Sequence, residues 1–280
     1  MNPMELLKWL PKRSLSRWTG KVVAAKLPGP LARASIQTFA KHYRINLEEA
    51  ELPLEQYPSI GAFFTRKLRS GVRPLSASSL VHPADARITQ AGRLRGGQLI
   101  QAKGKTYGLD ELTGVSGIKD AYEGGTFFTY YLCPTDYHRV HSPVTGKIVK
   151  RGHVPGELWP VNDWSTENIE RLFEVNERVS LEIETPNGRV LVVFVGATNV
   201  GQISLAHEPE FRSNQALTRV QLRSYEPGLV VEKGEELGIF HMGSTVVLIL
   251  DSKFQISDQD CAALKDTTTR VRAQLLEMKG

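Results

Sequence analysis

The chain has 280 residues, of which 41% are hydrophobic and 23% are charged, and its net charge is +5. This length allows one or two domains with a sizeable core, and the composition excludes a disordered or fibrous protein. The modest positive charge fits binding to an anionic membrane surface or to a nucleic acid, and it does not distinguish between these two partners. Two cysteines, Cys133 and Cys261, cannot build a disulfide framework and favour a reducing compartment.

The N-terminal residues do not have the pattern of a secretory signal. Glu5, Lys8, Lys12 and Arg13 surround only a short apolar stretch. The longest uncharged run, residues 190–206, contains polar side chains and is too short to cross a bilayer as a helix. We therefore expect any membrane contact to be peripheral.

Residues 1–75 are predicted to form a helical, membrane-associating region. Trp9 and Trp18 lie in apolar patches interleaved with Lys and Arg, a pattern typical of helices in the lipid headgroup layer. Pro28-Gly29-Pro30 interrupts the pattern, and a helix is predicted again from Leu31 to Tyr43. The alternative is an ordinary set of helices packed on their own domain.

The remaining residues, 76–280, are predicted to form a catalytic, β-rich domain that begins with a serine-rich linker. Asn187-Gly188 between two apolar runs predicts a β-hairpin, residues 126–132 predict a strand, and residues 232–235 predict a turn. Ser257 to Met278 predicts a C-terminal helix. The predicted fold class is α+β, with N-terminal amphipathic helices and a predominantly antiparallel β core.

A Gly243-Ser244-Thr245 step opens the apolar run of residues 246–250. Glycine permits backbone angles that other residues avoid, and the serine that follows is a potential nucleophile. A serine in a strained turn can attack the carbonyl that precedes it, which is how some enzymes make a pyruvoyl group. The tripeptide alone is more often a tight turn before a buried strand.

Two further segments could supply the groups that activate Ser244. Asp85 lies in a turn of small residues, and His138 and His141 lie in one short block. An orienting carboxylate, a base and an attacking hydroxyl are what nucleophile activation requires. Asp85 could equally be a turn or cap residue, and His241 could be a second base or a partly exposed strand residue.

The two histidines also suggest a metal site, with His153 or Asp136 as further ligands. Residues three apart on a regular strand point to opposite faces. A site that contains both histidines therefore requires a bend, which the nearby Pro143 favours.

Taken together, these segments closely resemble the bacterial, pyruvoyl-dependent phosphatidylserine decarboxylase proenzyme family. The Tyr-His-Arg-Val-His block and the Gly-Ser-Thr step, in this order and spacing, are its most specific motifs here. Met242 stands where the family usually has leucine, a nearly volume-conserving change. The resemblance covers most of the chain through Phe63-Phe64-Thr65-Arg66, Pro83-Ala84-Asp85, Gln101-Ala102-Lys103-Gly104, Tyr137-His138-Arg139-Val140-His141-Ser142-Pro143, Val154-Pro155-Gly156-Glu157-Leu158, Val161-Asn162, Asn176-Glu177-Arg178, residues 195–201 and Gly243-Ser244-Thr245.

The resemblance implies a function and a role for each matching residue. Asp85, His141 and Ser244 match the self-cleavage triad, and cleavage between Gly243 and Ser244 gives a β chain, residues 1–243, and an α chain, residues 244–280. Ser244 becomes the covalent pyruvoyl cofactor, which forms a Schiff base with the substrate. His138 matches the residue that acts in decarboxylation, with phosphatidylethanolamine and carbon dioxide as the products of phosphatidylserine.

The resemblance also implies partners and a location. The α and β chains of one precursor are expected to form a heterodimer, and two heterodimers could pair. The substrate lies in an anionic membrane, so we expect peripheral attachment to the cytoplasmic side of the cell membrane. Neither a metal ion nor a nucleic acid is expected.

Two other classes of protein share parts of this pattern. Residues 142–149 and 231–238 are similar to strands of biotinyl or lipoyl carrier domains, which indicates a barrel-sandwich-like core, but the chain has no Met-Lys-Met sequence for the carrier lysine. A serine hydrolase or metallo-hydrolase could use the same Asp, His and Ser. A denaturing gel separates these classes, because only the pyruvoyl enzyme gives two bands.

Overall fold

The computed structural model describes residues 19–20, 22–198, 202–215, 218–241 and 243–276. Short 3₁₀ turns lie at Leu47–Glu49, Leu54–Gln56 and Ser252–Phe254. The helices are α1 (Gly29–Tyr43), α2 (Ile60–Phe64), α3 (Leu109–Thr113), α4 (Ile118–Ala121), α5 (Asp163–Asn168), α6 (Leu172–Val175) and α7 (Asp258–Leu264).

Strands make up most of the chain after residue 80. They are β1 (Leu80–Val81), β2 (Ala86–Arg93), β3 (Gln98–Ala102), β4 (Lys105–Gly108), β5 (Thr126–Leu132), β6 (Arg139–His141), β7 (Gly146–Val154), β8 (Arg178–Thr185), β9 (Gly188–Gly196), β10 (Ile203–Leu205), β11 (Gln221–Val231), β12 (Glu236–Phe240), β13 (Ser244–Leu250), β14 (Thr268–Thr269) and β15 (Gln274–Leu276).

The largest sheet has eight strands in the order β11-β7-β8-β9-β13-β5-β2-β14, and its neighbouring strands pair antiparallel. A smaller sheet has the order β10-β12-β6, and β1-β15 and β3-β4 form two pairs. The predicted α+β class with an antiparallel core is confirmed. The predicted hairpin is β8-β9, in which Thr185 pairs with Gly188 around the turn, and the turn predicted at residues 232–235 joins β11 to β12.

β13 lies in the middle of this sheet, between β5 and β9, and every residue in it is buried. Successive side chains of a strand point to opposite faces, so β13 contributes to two separate cores. Val246 and Leu248 pack in the core that contains Phe194, called here the Phe194 core. Val247 packs in the core that contains Phe127, called the Phe127 core. A strand buried on both faces explains the unbroken apolar run in the sequence.

The N-terminal part of the described chain packs around a third cluster. This Ile36 cluster consists of Ile36, Ala40, Ile45, Ala50, Tyr57 and Phe63. The helix predicted from Leu31 is confirmed as α1, and it starts slightly earlier, at Gly29, because a proline such as Pro30 fits the first turn of a helix. Trp9 and Trp18 themselves lie outside the described residues, and residues 19–20 and 22–24, which follow Trp18, are helical as predicted. In the described ranges, the structure contains no helix that is both long enough and apolar enough to cross a bilayer.

The C-terminal helix is shorter than predicted. Ser257 caps α7 through a capping box with Asp260, as the sequence indicates, but the helix ends at Leu264. Asp266 and Arg272 both have positive φ angles, which interrupt a helix. The chain then pairs as β14 with β2 and as β15 with β1. The predicted helical extension through residue 276 was therefore wrong, and Met278 lies outside the described residues.

Candidate active site

Ser244 is the first residue of β13 and is completely buried. Gly243 before it has a φ of +48°, a left-handed conformation that favours glycine. A Cβ atom at position 243 would lie 2.9 Å from the main-chain oxygen of Thr198. The local backbone thus requires glycine before the serine, as the sequence predicts.

His138 is the imidazole that contacts this serine. Its Nδ1 lies 3.3 Å from Ser244 Oγ, and its Nε2 lies 3.0 Å from the carbonyl oxygen of Cys133. A carbonyl oxygen only accepts hydrogen bonds, so Nε2 carries the proton and Nδ1 presents its lone pair to the hydroxyl. Burial, with a further contribution from the charge of Arg66, lowers the pKa of His138 to about 3. The neutral imidazole can accept the Ser244 proton.

Phe64 covers one face of this imidazole. The two rings are stacked, with centroids 4.0 Å apart and planes 26° from parallel. Phe64 is the last residue of α2. The main-chain carbonyl oxygen of the next residue, Thr65, accepts two hydrogen bonds from the Arg139 guanidinium, at 3.0 and 2.8 Å. His138 is thus held by a carbonyl, an aromatic face and a serine hydroxyl. The sequence identifies Phe64 only as part of a family motif and does not predict that its ring stacks on His138.

His141 faces a different environment. Its Nδ1 lies 2.8 Å from the carbonyl oxygen of Gly234, to which it donates, so its Nε2 accepts from the Tyr137 hydroxyl at 3.3 Å. Burial lowers the pKa of His141. In the described geometry its hydrogen bonds go to these two groups and not to Ser244.

Asp85 is buried and held by arginines. Its carboxylate accepts hydrogen bonds from Arg73 at 2.7 to 3.1 Å, from Arg270 at 3.2 Å and from the main-chain N–H of Val271 at 2.8 Å. Within the described ranges, the side chains of Asp85 and His141 make no hydrogen bond to each other. Their connection is through the main chain, where His141 N–H donates to the Pro83 carbonyl at 2.8 Å.

One cavity adjoins His141 and two of the three groups that hold Asp85. This His141 cavity has a volume of about 360 Å³ and is lined by His141, Arg73 and Val271. Lys67 and Arg272 add positive charge to its wall. The structure thus brings His138 to Ser244, and it places His141 and two partners of Asp85, Arg73 and Val271, beside a separate cavity.

The other candidates make their described hydrogen bonds to groups other than Ser244. His241 Nε2 contacts Ser204 Oγ at 2.9 Å, and burial lowers the pKa of His241 to about 4. His153 Nε2 lies 2.8 Å from Glu177 Oε1. Asp136 accepts a hydrogen bond from the main-chain N–H of Cys133 at 2.7 Å. In the part of the chain that the structure describes, no group of three His, Cys, Asp or Glu side chains is arranged to hold a metal ion.

Comparison with known proteins gives one consistent result. A family model described as phosphatidylserine decarboxylase matches residues 60–273. A phosphatidylserine decarboxylase proenzyme of Myxococcus xanthus is 42% identical over 252 residues, which cover 89% of each chain. Proenzymes of the same name from Anaeromyxobacter and Brevibacillus brevis are 40% and 39% identical and cover 88% of each chain. The matched region includes Asp85, His138, His141 and Ser244.

Proposed function

The chain belongs to the phosphatidylserine decarboxylase family, and from this premise we propose that it converts phosphatidylserine to phosphatidylethanolamine and carbon dioxide, with a pyruvoyl group made from Ser244. One observation carries the proposal. A completely buried serine follows a glycine with a positive φ angle, and a neutral imidazole lies 3.3 Å from its hydroxyl. A hydrolase would use the same contact but would keep the chain intact.

The residues around position 244 fit the formation of a pyruvoyl group. Attack by Ser244 Oγ on the Gly243 carbonyl carbon forms an ester, breaks the Gly243–Ser244 amide bond and leaves a free amine on residue 244. The step requires a base for the Oγ proton. Elimination then releases the Gly243 carboxylate and leaves dehydroalanine, and addition of water with loss of ammonia gives the ketone. Once formed, the pyruvoyl group supplies a ketone that captures the lipid amine and withdraws electrons as carbon dioxide leaves.

We propose Asp85, His141 and Ser244 as the residues of self-cleavage, on the strength of the family resemblance. In the described arrangement, His138 occupies the position next to Ser244. The proposal therefore requires that His141 approaches Ser244 in the maturing precursor. The His141 cavity is empty space next to this imidazole, into which neighbouring side chains can shift.

His138 is proposed to return a proton to the substrate carbon after decarboxylation. Its contact with residue 244 supports this role, because the substrate is expected to bind at that residue. Burial keeps the imidazole neutral in the free protein, so it must first gain a proton. An anionic lipid headgroup nearby would raise its pKa and favour that step.

The two chains of the proposed mature protein are expected to remain together. Cleavage before Ser244 would place β13 in the α chain, whereas β5 and β9, its partners on both sides, would stay in the β chain. Each residue of β13 pairs with both neighbours. This pairing supports an αβ heterodimer.

Residues 1–75 are proposed to attach the protein to the cytoplasmic face of the membrane, and residues 76–280 to carry out catalysis. An open apolar groove of about 750 Å³ on α1 supports the attachment, and Leu27, Leu31, Phe39 and Ile60 line it. The net charge of +5 favours an anionic lipid surface.

The intact mass of the purified protein tests the proposal directly. We expect two chains that separate between Gly243 and Ser244, with a blocked N-terminus on the smaller one, and phosphatidylethanolamine formation from phosphatidylserine. Ser244→Ala should remain one chain. A wild-type protein that stays whole with a free serine at position 244 would rule out the pyruvoyl group.

A further inference from the structure

Arg66 is a buried arginine, and two of its side-chain nitrogen atoms have no partner. It is 3% exposed and ends the Phe63-Phe64-Thr65-Arg66 motif. Within the part of the chain that the structure describes, its Nε and Nη1 atoms are buried and make no hydrogen bond. Its guanidinium carbon lies 5.1 Å from the centroid of the Phe63 ring. This contact offsets only part of the cost of burying a charge.

The acidic side chains around Arg66 are already paired with another arginine. Burial lowers the pKa of Arg66, and the charges of Glu49 and Asp85 oppose that shift. Arg73 Nη2 lies 2.9 Å from Glu49 Oε2 and 2.7 Å from Asp85 Oδ2. Asp85 also pairs with Arg270 at 3.2 Å. Three arginines thus share two carboxylates, and Arg66 is the arginine with unpaired buried nitrogen atoms.

The chain that leads to Arg66 contacts the histidine block. Phe64, two residues earlier, stacks on His138, and the carbonyl oxygen of Thr65 accepts from the Arg139 guanidinium. The charge of Arg66 also contributes to the low pKa of His138. Contacts and charge both place Arg66 on the His138 side of the molecule.

His138 in turn contacts both sides of the Gly243–Ser244 bond. Its Nδ1 lies 3.3 Å from Ser244 Oγ, and its carbonyl oxygen accepts from Phe240 N–H at 3.0 Å. Gly243 is three residues beyond Phe240, and three residues of extended chain span about 10 Å. A chain end at Gly243, once free, can therefore reach the surroundings of His138.

The proposed maturation creates a negative charge at this chain end. In the elimination step the Cβ–Oγ bond of residue 244 breaks, and its electron pair stays on the oxygen, which becomes part of the Gly243 carboxylate. The Cα proton of residue 244 passes to the neutral imidazole of His141, the proposed base. Ser244 is completely buried, so the new carboxylate forms in the protein interior. A carboxylate left unpaired there is strongly unfavourable.

We propose that Arg66 binds the Gly243 carboxylate as it leaves residue 244 and holds it in the mature protein. The inference rests on the proposed function. The unpaired nitrogen atoms of Arg66 are donors, whereas a carboxylate only accepts, and hydrogen bonds between two charged groups are the strong ones. The cut thus supplies the partner that the precursor lacks.

This pairing has a consequence for His138. The positive charge of Arg66 contributes to lowering the pKa of His138, and a carboxylate beside Arg66 would offset that contribution. His138 would then take up a proton more readily in the mature protein than in the precursor. Its proposed role in decarboxylation requires that proton.

Two substitutions at position 66 test the proposal. Arg66→Met removes the charge and keeps a long side chain, and Arg66→Lys keeps the charge. Each is made in the wild-type chain and in Ser244→Ala, which cannot be cut. Arg151→Met is the matched control, because Arg151 is also buried, at 6% exposed, and its partner Glu208 is present before the cut.

The rate of self-cleavage is the first measurement. Arg66→Met should release the α chain roughly tenfold more slowly, the loss of one hydrogen bond to a charged group, and Arg66→Lys should restore most of the rate. The delayed species should be the ester, which mild hydroxylamine at neutral pH splits into residues 1–243 and an unblocked piece, residues 244–280. Arg151→Met should be cut at the wild-type rate. Slow cleavage without a detectable ester would overturn the proposal.

The melting temperature at a fixed protein concentration is the second measurement, and it does not depend on turnover. In Ser244→Ala, adding Arg66→Met should leave the melting temperature unchanged or raise it, because the guanidinium there is unpaired. In the fully cut protein Arg66→Met should lower it, since it leaves a buried carboxylate without its partner. Arg151→Met should lower both.

Equal shifts for Arg66→Met in the cut and uncut proteins would overturn the proposal, as would failure of Ser244→Ala with Arg66→Met to fold. An Arg66→Met protein that is cut at the wild-type rate and keeps its stability, but has a raised KM for phosphatidylserine, would assign the guanidinium to the lipid instead. If the wild type itself is never cut, the proposed function fails, which these variants then distinguish from a failure of this inference alone.

Discussion

Ser244 Oγ lies 3.3 Å from His138 Nδ1, although the two residues are 106 positions apart in the chain. His141, three residues further along, donates instead to Gly234. The two histidines of one short block therefore occupy different environments, and this difference makes their proposed roles separable.

Alanine substitutions at the two histidines test those roles. His141→Ala should remain largely uncut, because it removes the proposed base of self-cleavage. His138→Ala should mature and then turn over phosphatidylserine on the order of 10²- to 10⁴-fold more slowly, the usual effect of losing a general acid or base. Mass spectrometry reports cleavage, and phosphatidylethanolamine formation reports turnover. If His138→Ala stays whole while His141→Ala matures, the contact with Ser244 serves cleavage and the roles are reversed.

Phe64→Leu tests whether the stacked ring positions His138. The change keeps an apolar side chain but removes the aromatic face, a contact worth about 1 kcal/mol. We expect kcat to fall roughly tenfold, with a shifted pH profile and with cleavage retained. Phe63→Leu is the control, because Phe63 is equally buried but packs edge-on against Tyr57 in the Ile36 cluster. Equal losses of kcat in both variants would indicate a general packing defect.

Gly243→Ala should slow self-cleavage by on the order of 10²-fold. The added methyl group meets the Thr198 carbonyl oxygen and disfavours the observed φ, which displaces the carbonyl that Ser244 must attack. The rate is measured as the disappearance of full-length chain after synthesis. Gly29→Ala, with no atom within 4 Å of the new methyl group, should be cut at the wild-type rate. Cleavage of Gly243→Ala at that same rate would show that the glycine is dispensable.

Acid should destabilise the protein below about pH 6.5, the ordinary pKa of histidine. Burial lowers the pKa of His82 and His241 to about 4 and is the main reason that the pKa of His138 is about 3. The unfolded chain therefore binds more protons than the folded one as the pH falls, and the free energy of unfolding decreases. Asp136 opposes this trend between about pH 4 and 6, because burial raises its pKa to about 6.

Urea unfolding at several pH values measures this slope. His82→Gln should reduce the slope by about 1.4 kcal/mol per pH unit, the contribution of one unmatched proton. A stability that does not vary between pH 7 and 5 in the wild type would contradict the prediction.

Leu31→Glu tests the apolar groove on α1 as a membrane contact. Leu31 is 59% exposed, and an acidic residue in the first turn of a helix is compatible with folding. We expect weaker binding to anionic vesicles in a sedimentation assay, and binding of the wild type should fall with salt. Val230→Glu is the control, since Val230 is 68% exposed on β11. The groove is excluded as the contact if Leu31→Glu and Val230→Glu bind equally well.

Local signals in the sequence predict the parts of the fold that depend on neighbouring residues. Asn187-Gly188 gives the β8-β9 hairpin, and alternation of apolar residues gives the strands. Contacts between distant segments have no such signal. Arg270 reaches Asp85 across 185 positions, and β14 and β15 replace the predicted end of the C-terminal helix because their partners lie near residues 80–87. The stacking of Phe64 on His138 was missed for the same reason.

All seven residues of β13 pair with strands on both sides. A break before Ser244 would remove the covalent link between β13 and the rest of the protein, so that only its pairing with β5 and β9 would hold it in place. Folding, which is unimolecular for the intact chain, would then become bimolecular. The melting temperature of the cut protein should then rise with its concentration, whereas that of Ser244→Ala should not, because only the cut chains gain stability by mass action. A released α chain would expose an apolar strand with two free edges and would aggregate. Cleavage would thus make loss of the fold practically irreversible.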